Sequence, residues 1–193
     1  MPKKFRNQYR IKSSRLSDYD YNQNGIYFVT ICTKNKEEFF GKIKNGKMIL
    51  NDIGKIVNKF WKEIPKHFPF VKLDIHQIMP NHIHGNLEII KNDSVVETHN
   101  YASLRHRRTK QQTNATYKNK FGPQSKNLAS IIRGFKSSVK RWCNENNQNF
   151  AWQPRFYDRI VRNDNELNRI KEYILANPQM WKRDRNNIEN LWM

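Results

Sequence analysis

Residues 71–90 read VKLDIHQIMPNHIHGNLEII, and this stretch decides the fold. Val71–Met79 is rich in β-branched and apolar residues, which fit a pleated strand. Pro80-Asn81 breaks it tightly, because proline supplies no N–H to a ladder and asparagine accepts turn geometry. His82–Ile90 then resumes strand character, so the pair reads as an antiparallel hairpin. Side chains alternate faces along a strand. His82 and His84 therefore share one face, while Ile83, Leu87 and Ile89 share the other. Two imidazoles two residues apart on one face are able to chelate one divalent ion. A lone His-x-His pair is a weak signal, and surface or packed histidines are its commoner meaning.

Working toward the N-terminus, Gly25 opens a strand that runs from Ile26 through Thr33. Strand-like runs around Phe39–Ile43 and Lys47–Leu50 flank Asn45-Gly46, a hairpin signal. Asn51-Asp52 caps a helix in which Ile53, Ile56, Val57, Phe60, Trp61 and Ile64 recur at helical spacing, and Pro65 stops it. Toward the C-terminus, residues 91–124 carry no periodicity and read as a basic insertion loop. From Ser125 to about Asn146, Leu128, Ile131, Ile132, Phe135, Val139 and Trp142 form one apolar helical stripe. Phe156–Val161 reads as a strand. Asn163 with Glu166 resembles a capping box opening a last helix, which ends before Pro178. This order predicts an α+β fold: an antiparallel sheet of four to five strands with helices packed on one face. The domain plan is a basic arm at 1–20, one domain at 21–182 and a tail at 183–193.

Charge narrows the function. The 193 residues hold 36 Lys and Arg against 17 Asp and Glu, a formal charge of +19. Such a surface repels itself unless a polyanion neutralises it, and nucleic acid is the expected partner. An aromatic content of 12% argues for a folded core despite a mean hydropathy of −0.95. Cys32 and Cys143 form no CxxC pattern, so neither a disulfide framework nor a zinc knuckle is expected. No apolar run is long enough to span a membrane, and the charged first residues lack a signal peptide's apolar stretch. A cytoplasmic, nucleoid-associated setting follows as an expectation. The absence of a GxxxxGK[ST] loop argues against an NTPase. Candidate DNA contacts are Lys3, Lys4, Arg6, Arg10 and Arg15 in the arm, and Arg133, Lys136 and Lys140 on the long helix.

On the last helix, Tyr173 and Asn177 are four residues apart and share a face. Position alone does not choose a nucleophile among eight tyrosines, and Tyr157 is the main rival.

These segments together resemble a known family. Ile78-Met79-Pro80-Asn81-His82-Ile83-His84-Gly85 resembles the His-hydrophobic-His motif of HUH endonucleases. Trp152-Gln153-Pro154-Arg155-Phe156-Tyr157-Asp158-Arg159-Ile160 is similar to the WQxxF/YxxHI stretch of REP-associated tyrosine transposases, with Arg159 where a histidine is common. Glu172-Tyr173-Ile174-Leu175-Ala176-Asn177-Pro178 is similar to their YIxxNP helix end, and Asn24–Thr30 resembles their first strand. The resemblance runs from about residue 10 to about residue 182. It implies a ferredoxin-like core, Tyr173 as the nucleophile, and Mg²⁺ or Mn²⁺ on His82, His84 and Asn177. It also implies a transposase that nicks and rejoins single-stranded or hairpin DNA through a 5′-phosphotyrosine, as a monomer or homodimer. The alternatives are a non-catalytic binder of DNA or RNA hairpins and a domesticated repeat-processing nuclease.

Overall fold

The computed structural model describes residues 4–5, 8–9, 21, 23–91 and 125–187. The insertion at 92–124 and the arm residues Lys3, Arg6, Arg10 and Arg15 lie outside the described residues, as does the side chain of Lys4. A short antiparallel pair, β1 (Lys4–Phe5) and β2 (Gln8–Tyr9), precedes the main domain. There follow β3 (Gly25–Cys32), β4 (Gly41–Lys44), β5 (Lys47–Leu50), α1 (Asp52–Lys62), α2 (Ile64–His67), β6 (Val71–Ile78), β7 (His82–Ile89), α3 (Leu128–Glu145), β8 (Tyr157–Val161) and α4 (Asp164–Ala176).

The main sheet is antiparallel, in the order β6-β7-β3-β8. The β4–β5 hairpin stands apart as a two-stranded ribbon. Asn45 and Gly46 both have positive φ, as a two-residue turn that matches strand twist requires. In the main sheet, β3 pairs with β7 over its whole length, so Thr30 lies opposite His84 and Cys32 opposite His82. A register irregularity in β6 between Leu73 and His76 still leaves Gln77 opposite His84.

One face of the sheet carries the core. Tyr27, Val29 and Ile31 of β3 join Ile83, Leu87 and Ile89 of β7, all fully buried. α1 contributes Ile53, Val57 and Trp61; α3 contributes Leu128, Ile131, Ile132, Phe135, Val139 and Cys143. Each such aliphatic side chain contributes about 1.5–3 kcal/mol by leaving water. The α3 stripe matches the periodicity except at its end, where Cys143 is fully buried and Trp142 only partly. Gly85 sits where a β-carbon would come within 2.4 Å of the Trp61 ring, so the close approach of α1 to β7 needs a glycine there.

Local caps set the helix starts. The Asn51 side chain accepts from Gly54 N at 2.9 Å. Asn127 and Ser130 form a reciprocal capping box, which starts α3 at Leu128 rather than at Ser125. Pro65 does more than stop α1: it occupies the first turn of α2, where its missing N–H costs nothing. Asn163 caps α4 through Glu166 N at 2.9 Å, but Glu166 does not return the bond. Its carboxylate instead accepts from Arg162 N at 2.9 Å and from Arg159 Nε at 2.6 Å.

The expectation that all helices share one face needs correction. α1 and α3 cover the core face, but α4 lies across the other. Its Tyr173 ring meets Phe28 at 6.3 Å between centroids, and its Lys171 pairs with Asp74 of β6 at 3.0 Å. Phe28 and His84 point away from the core by strand alternation, so a helix on this second face was needed to bury the histidine face. Among the described residues, no helix is long and apolar enough to cross a membrane.

Candidate metal and nucleophile site

His82 and His84 leave β7 on the face that α4 covers, and both are fully buried. Their Nε2 atoms stand 3.0 Å apart. The other ring nitrogens are held from behind. His82 Nδ1 lies 2.8 Å from Asn81 Oδ1. The Asn81 amide nitrogen donates to the Lys36 and Asn186 carbonyls, each at 2.8 Å, so its oxygen must be what faces the ring. An amide oxygen only accepts, so His82 carries its proton on Nδ1 and presents a bare lone pair on Nε2. His84 Nδ1 lies 2.8 Å from Thr30 Oγ1, a hydroxyl that rotates to donate or accept. Thr30 therefore supports either tautomer of His84.

Both rings stay neutral. Burial pushes the His82 pKa down to about 3, and Lys36 and Arg185 add to the effect. Burial also holds His84 well below the ordinary range, with the neighbouring His82 next in effect and Asp184 opposing. Neutral imidazole is the form that binds a metal.

The chain beyond Pro178 folds back on this face. Trp181 stacks over His82 at 6.1 Å between ring centroids. Asp184 is buried, with Oδ2 3.9 Å from His82 Nε2. One ligand atom from each of His82, His84 and Asp184 falls within 4.8 Å of the others. Asp184 Oδ1 accepts from Asn186 N at 2.6 Å, and Oδ2 accepts from Asn177 Nδ2 at 2.9 Å. That second bond orients Asn177: its nitrogen faces the carboxylate, and its buried Oδ1 is left without a hydrogen-bond partner. Residues 183–187, read from the sequence as the start of a tail, thus pack against the histidines.

This donor set fits a divalent ion. The His82 lone pair, the His84 imidazole and the Asp184 carboxylate gather in one buried place, and Asn177 adjoins them through its bond to Asp184. Sequence reasoning named His82, His84 and Asn177 and missed Asp184. No spacing signal marks a residue seven positions beyond Asn177 and past a helix end.

Tyr173 Oη lies 3.2 Å from His84 Nε2. The residue is 43% exposed, while its hydroxyl end reaches the histidines. Burial raises its pKa, Asp184 raises it further, and Arg185 and the Asn177 amide oppose. Tyr157, the rival, is on edge strand β8 and packs against Phe28 rather than against the histidines.

Of the α3 candidates, Lys136 Nζ donates to the carbonyls of Gln153 and Arg155 at 2.7 and 3.1 Å, and Lys140 Nζ to that of Phe150 at 2.7 Å. Both lysines hold the 150–155 segment against α3. Arg133 is exposed and lines the same groove as Arg141 and Arg155.

Known proteins resemble the chain along most of its length. An uncharacterized protein of Haemophilus influenzae strain Rd is 40% identical over 174 residues, covering 90% of this chain and 91% of its own. A second protein of that strain, described as a "putative REP-associated tyrosine transposase", is 26% identical over 172 residues, covering 84% and 76%. The solved structure of a REP-associated tyrosine transposase bound to a REP hairpin shares the fold, with a TM-score of 0.56 at 14% identity over 89% of this chain and 74% of that one. No family model matches the chain. This protein therefore belongs to one family with the uncharacterized Haemophilus influenzae protein, is similar to one described as a putative REP-associated tyrosine transposase, and shares the fold of a solved REP-associated tyrosine transposase.

Proposed function

We propose that the chain is a hairpin- and sequence-specific single-strand DNA endonuclease and strand-transferase working through a 5′-phosphotyrosine. The observation that carries this reading is the 3.2 Å approach of Tyr173 Oη to His84 Nε2, beside the 3.0 Å pair of histidine nitrogens. The Tyr173 oxygen attacks phosphorus, and the bond to the 3′ oxygen breaks. The phenol gives up its proton and the departing 3′ oxygen gains one, so the step is balanced in protons. A 3′-hydroxyl attacking the phosphotyrosine reverses the chemistry and joins strands without a nucleotide cofactor.

His82, His84, Asn177 and Asp184 would hold the divalent ion. When bound there, Mg²⁺ or Mn²⁺ polarises the scissile phosphate and counters the charge that develops on it. The protein's own contribution is orientation. Asn81 and Thr30 lock the rings, Phe28 supports the Tyr173 ring, and burial keeps the imidazoles neutral. The raised Tyr173 pKa means that the nucleophile needs positive charge close by.

The test is incubation of the full chain with labelled hairpin DNA carrying an unpaired flank, in Mn²⁺, followed by a denaturing gel. A covalent protein–DNA band that disappears in Tyr173→Phe and in EDTA is expected. A band that persists in Tyr173→Phe would remove Tyr173 from its role, and one unchanged in EDTA would remove the ion.

A further inference from the structure

The β4–β5 ribbon lies outside the main sheet, and the chemistry above gives it no task. Its sequence, residues 41–50, reads GKIKNGKMIL, with three lysines and no acidic residue. Strand alternation and register divide its side chains between two faces. On the inner face Ile43 is paired with Met48 and Gly41 with Leu50, and Met48 and Leu50 pack against the core. On the outer face Lys44 is paired with Lys47 and Lys42 with Ile49, and all four side chains are exposed.

Two observations define what fits the outer face. The first is charge. Like charges set directly opposite across two strands destabilise them. Lys44 and Lys47 are such a pair, and Lys42 stands on the same face. Among the described residues, none of the three lysines pairs with a carboxylate. A polyanion relieves that repulsion. The second is the way the ribbon is held. At its base, Phe40 N donates to the Pro80 carbonyl at 2.9 Å, two residues before His82, and Asn51 N donates to the Phe40 carbonyl at 3.1 Å. At its tip, a β-carbon on Gly46 would lie 3.4 Å from Gln179 Cγ, two residues after Asn177. The ribbon is thus braced against both chain segments that carry the candidate ligands. An anion on its outer face is held in a fixed relation to them.

We infer that the outer face of the ribbon is a docking surface for the paired stem of a DNA hairpin, with Lys42, Lys44 and Lys47 on its phosphates. The inference rests on the proposed nuclease reading for the identity of the polyanion. Surfaces that hold unpaired strands add aromatic rings on which bases stack. Residues 41–50 contain no aromatic residue, so the ribbon offers charge alone. A duplex turns its phosphates outward to meet charge, and its major groove is wide enough for a two-stranded ribbon. A protein partner does not fit, because four side chains fall far short of the about 800 Å² per partner that a stable interface buries. Lysine meets phosphate as a point charge, so this face places the stem and leaves sequence choice to other contacts.

The experiment uses the Tyr173→Phe protein in EDTA, so that no cleavage interferes. Fluorescence anisotropy measures affinity across a salt series for a DNA hairpin and for an unpaired strand of equal length. The reading is the slope of log affinity against log salt, which counts phosphate contacts and does not depend on the folded fraction. Replacing Lys42, Lys44 and Lys47 together by glutamine should lower the hairpin slope by about 2–3 and the unpaired-strand slope by less than about 1. Removing the same charge from Lys59, Lys62 and Lys66, which are exposed on α1 and α2, should lower the hairpin slope by less than about 1. An unchanged hairpin slope in the ribbon variant overturns the dock. So does an equal loss on the two substrates, or an equal loss in the two triple variants. The denaturing gel decides separately whether Tyr173 forms a covalent adduct, so a protein with the ribbon effect and no adduct would keep the dock and lose the nuclease.

Discussion

Replacing Asn81 by alanine tests the support behind the metal ligands. Asn81 is fully buried and makes three hydrogen bonds of 2.8 Å: one to His82 Nδ1 and one each to the Lys36 and Asn186 carbonyls. At a net contribution of about 1 kcal/mol per bond, the loss is about 3 kcal/mol. In a domain of this size that lowers Tm by about 6–12 °C. The function should suffer separately. Without the Asn81 oxygen, nothing among these bonds keeps the His82 proton on Nδ1, and the Nε2 lone pair is no longer guaranteed. Loss of such a partner behind a ligand costs about 10- to 100-fold in metal affinity. Urea unfolding gives the first quantity, and Mn²⁺ titration followed by electron paramagnetic resonance gives the second at a temperature where the variant is folded. A loss of stability below about 0.5 kcal/mol together with unchanged Mn²⁺ affinity would refute the reasoning, because the bonds would then be neither holding the segment nor setting the tautomer.

Three further outcomes are expected. Asp184→Asn preserves shape but removes the charge, and should weaken Mn²⁺ binding by at least about 10-fold; unchanged affinity would exclude Asp184 from the ion's shell. Gly85→Ala drives a methyl to within 2.4 Å of the Trp61 ring and should destabilise the domain by about 1–3 kcal/mol in urea unfolding, with the gel assay preserved at low temperature. Arg133→Gln should lower the slope of log affinity against log salt by about 1, while Lys136→Met and Lys140→Met should show up chiefly as lost stability, because their ammonium groups hold backbone carbonyls. A larger salt-slope change in the lysine variants than in Arg133→Gln would reverse that division.

Much of the site was legible because it is local. Strand alternation alone puts His82 and His84 on one face and Ile83 on the other, and the structure has His84 opposite Thr30 as that alternation allows. Helical spacing alone puts Tyr173 and Asn177 on one side of α4. The caps at Asn51 and Asn163 follow the same local logic. Glu166 shows where it fails: its spacing from Asn163 suggested a reciprocal box, yet the nearby Arg159 guanidinium takes its carboxylate. Lys136 and Lys140 show the same limit, since a basic helix face looks alike whether its charges meet DNA or the chain's own carbonyls.

By itself, the sequence determined the kinds of elements, their order, the histidine face and the excess of positive charge, because these depend on periodicity and composition over a few neighbours. Tertiary structure alone decided that α4 covers the face opposite α1 and α3. It also brought Tyr173 to His84 across 89 residues of chain and turned Asp184 back onto the histidines. The physical reason is burial. A face bearing two histidines and Phe28 must be covered, and the elements that cover it are selected by packing over long sequence distances, which no short-range pattern records.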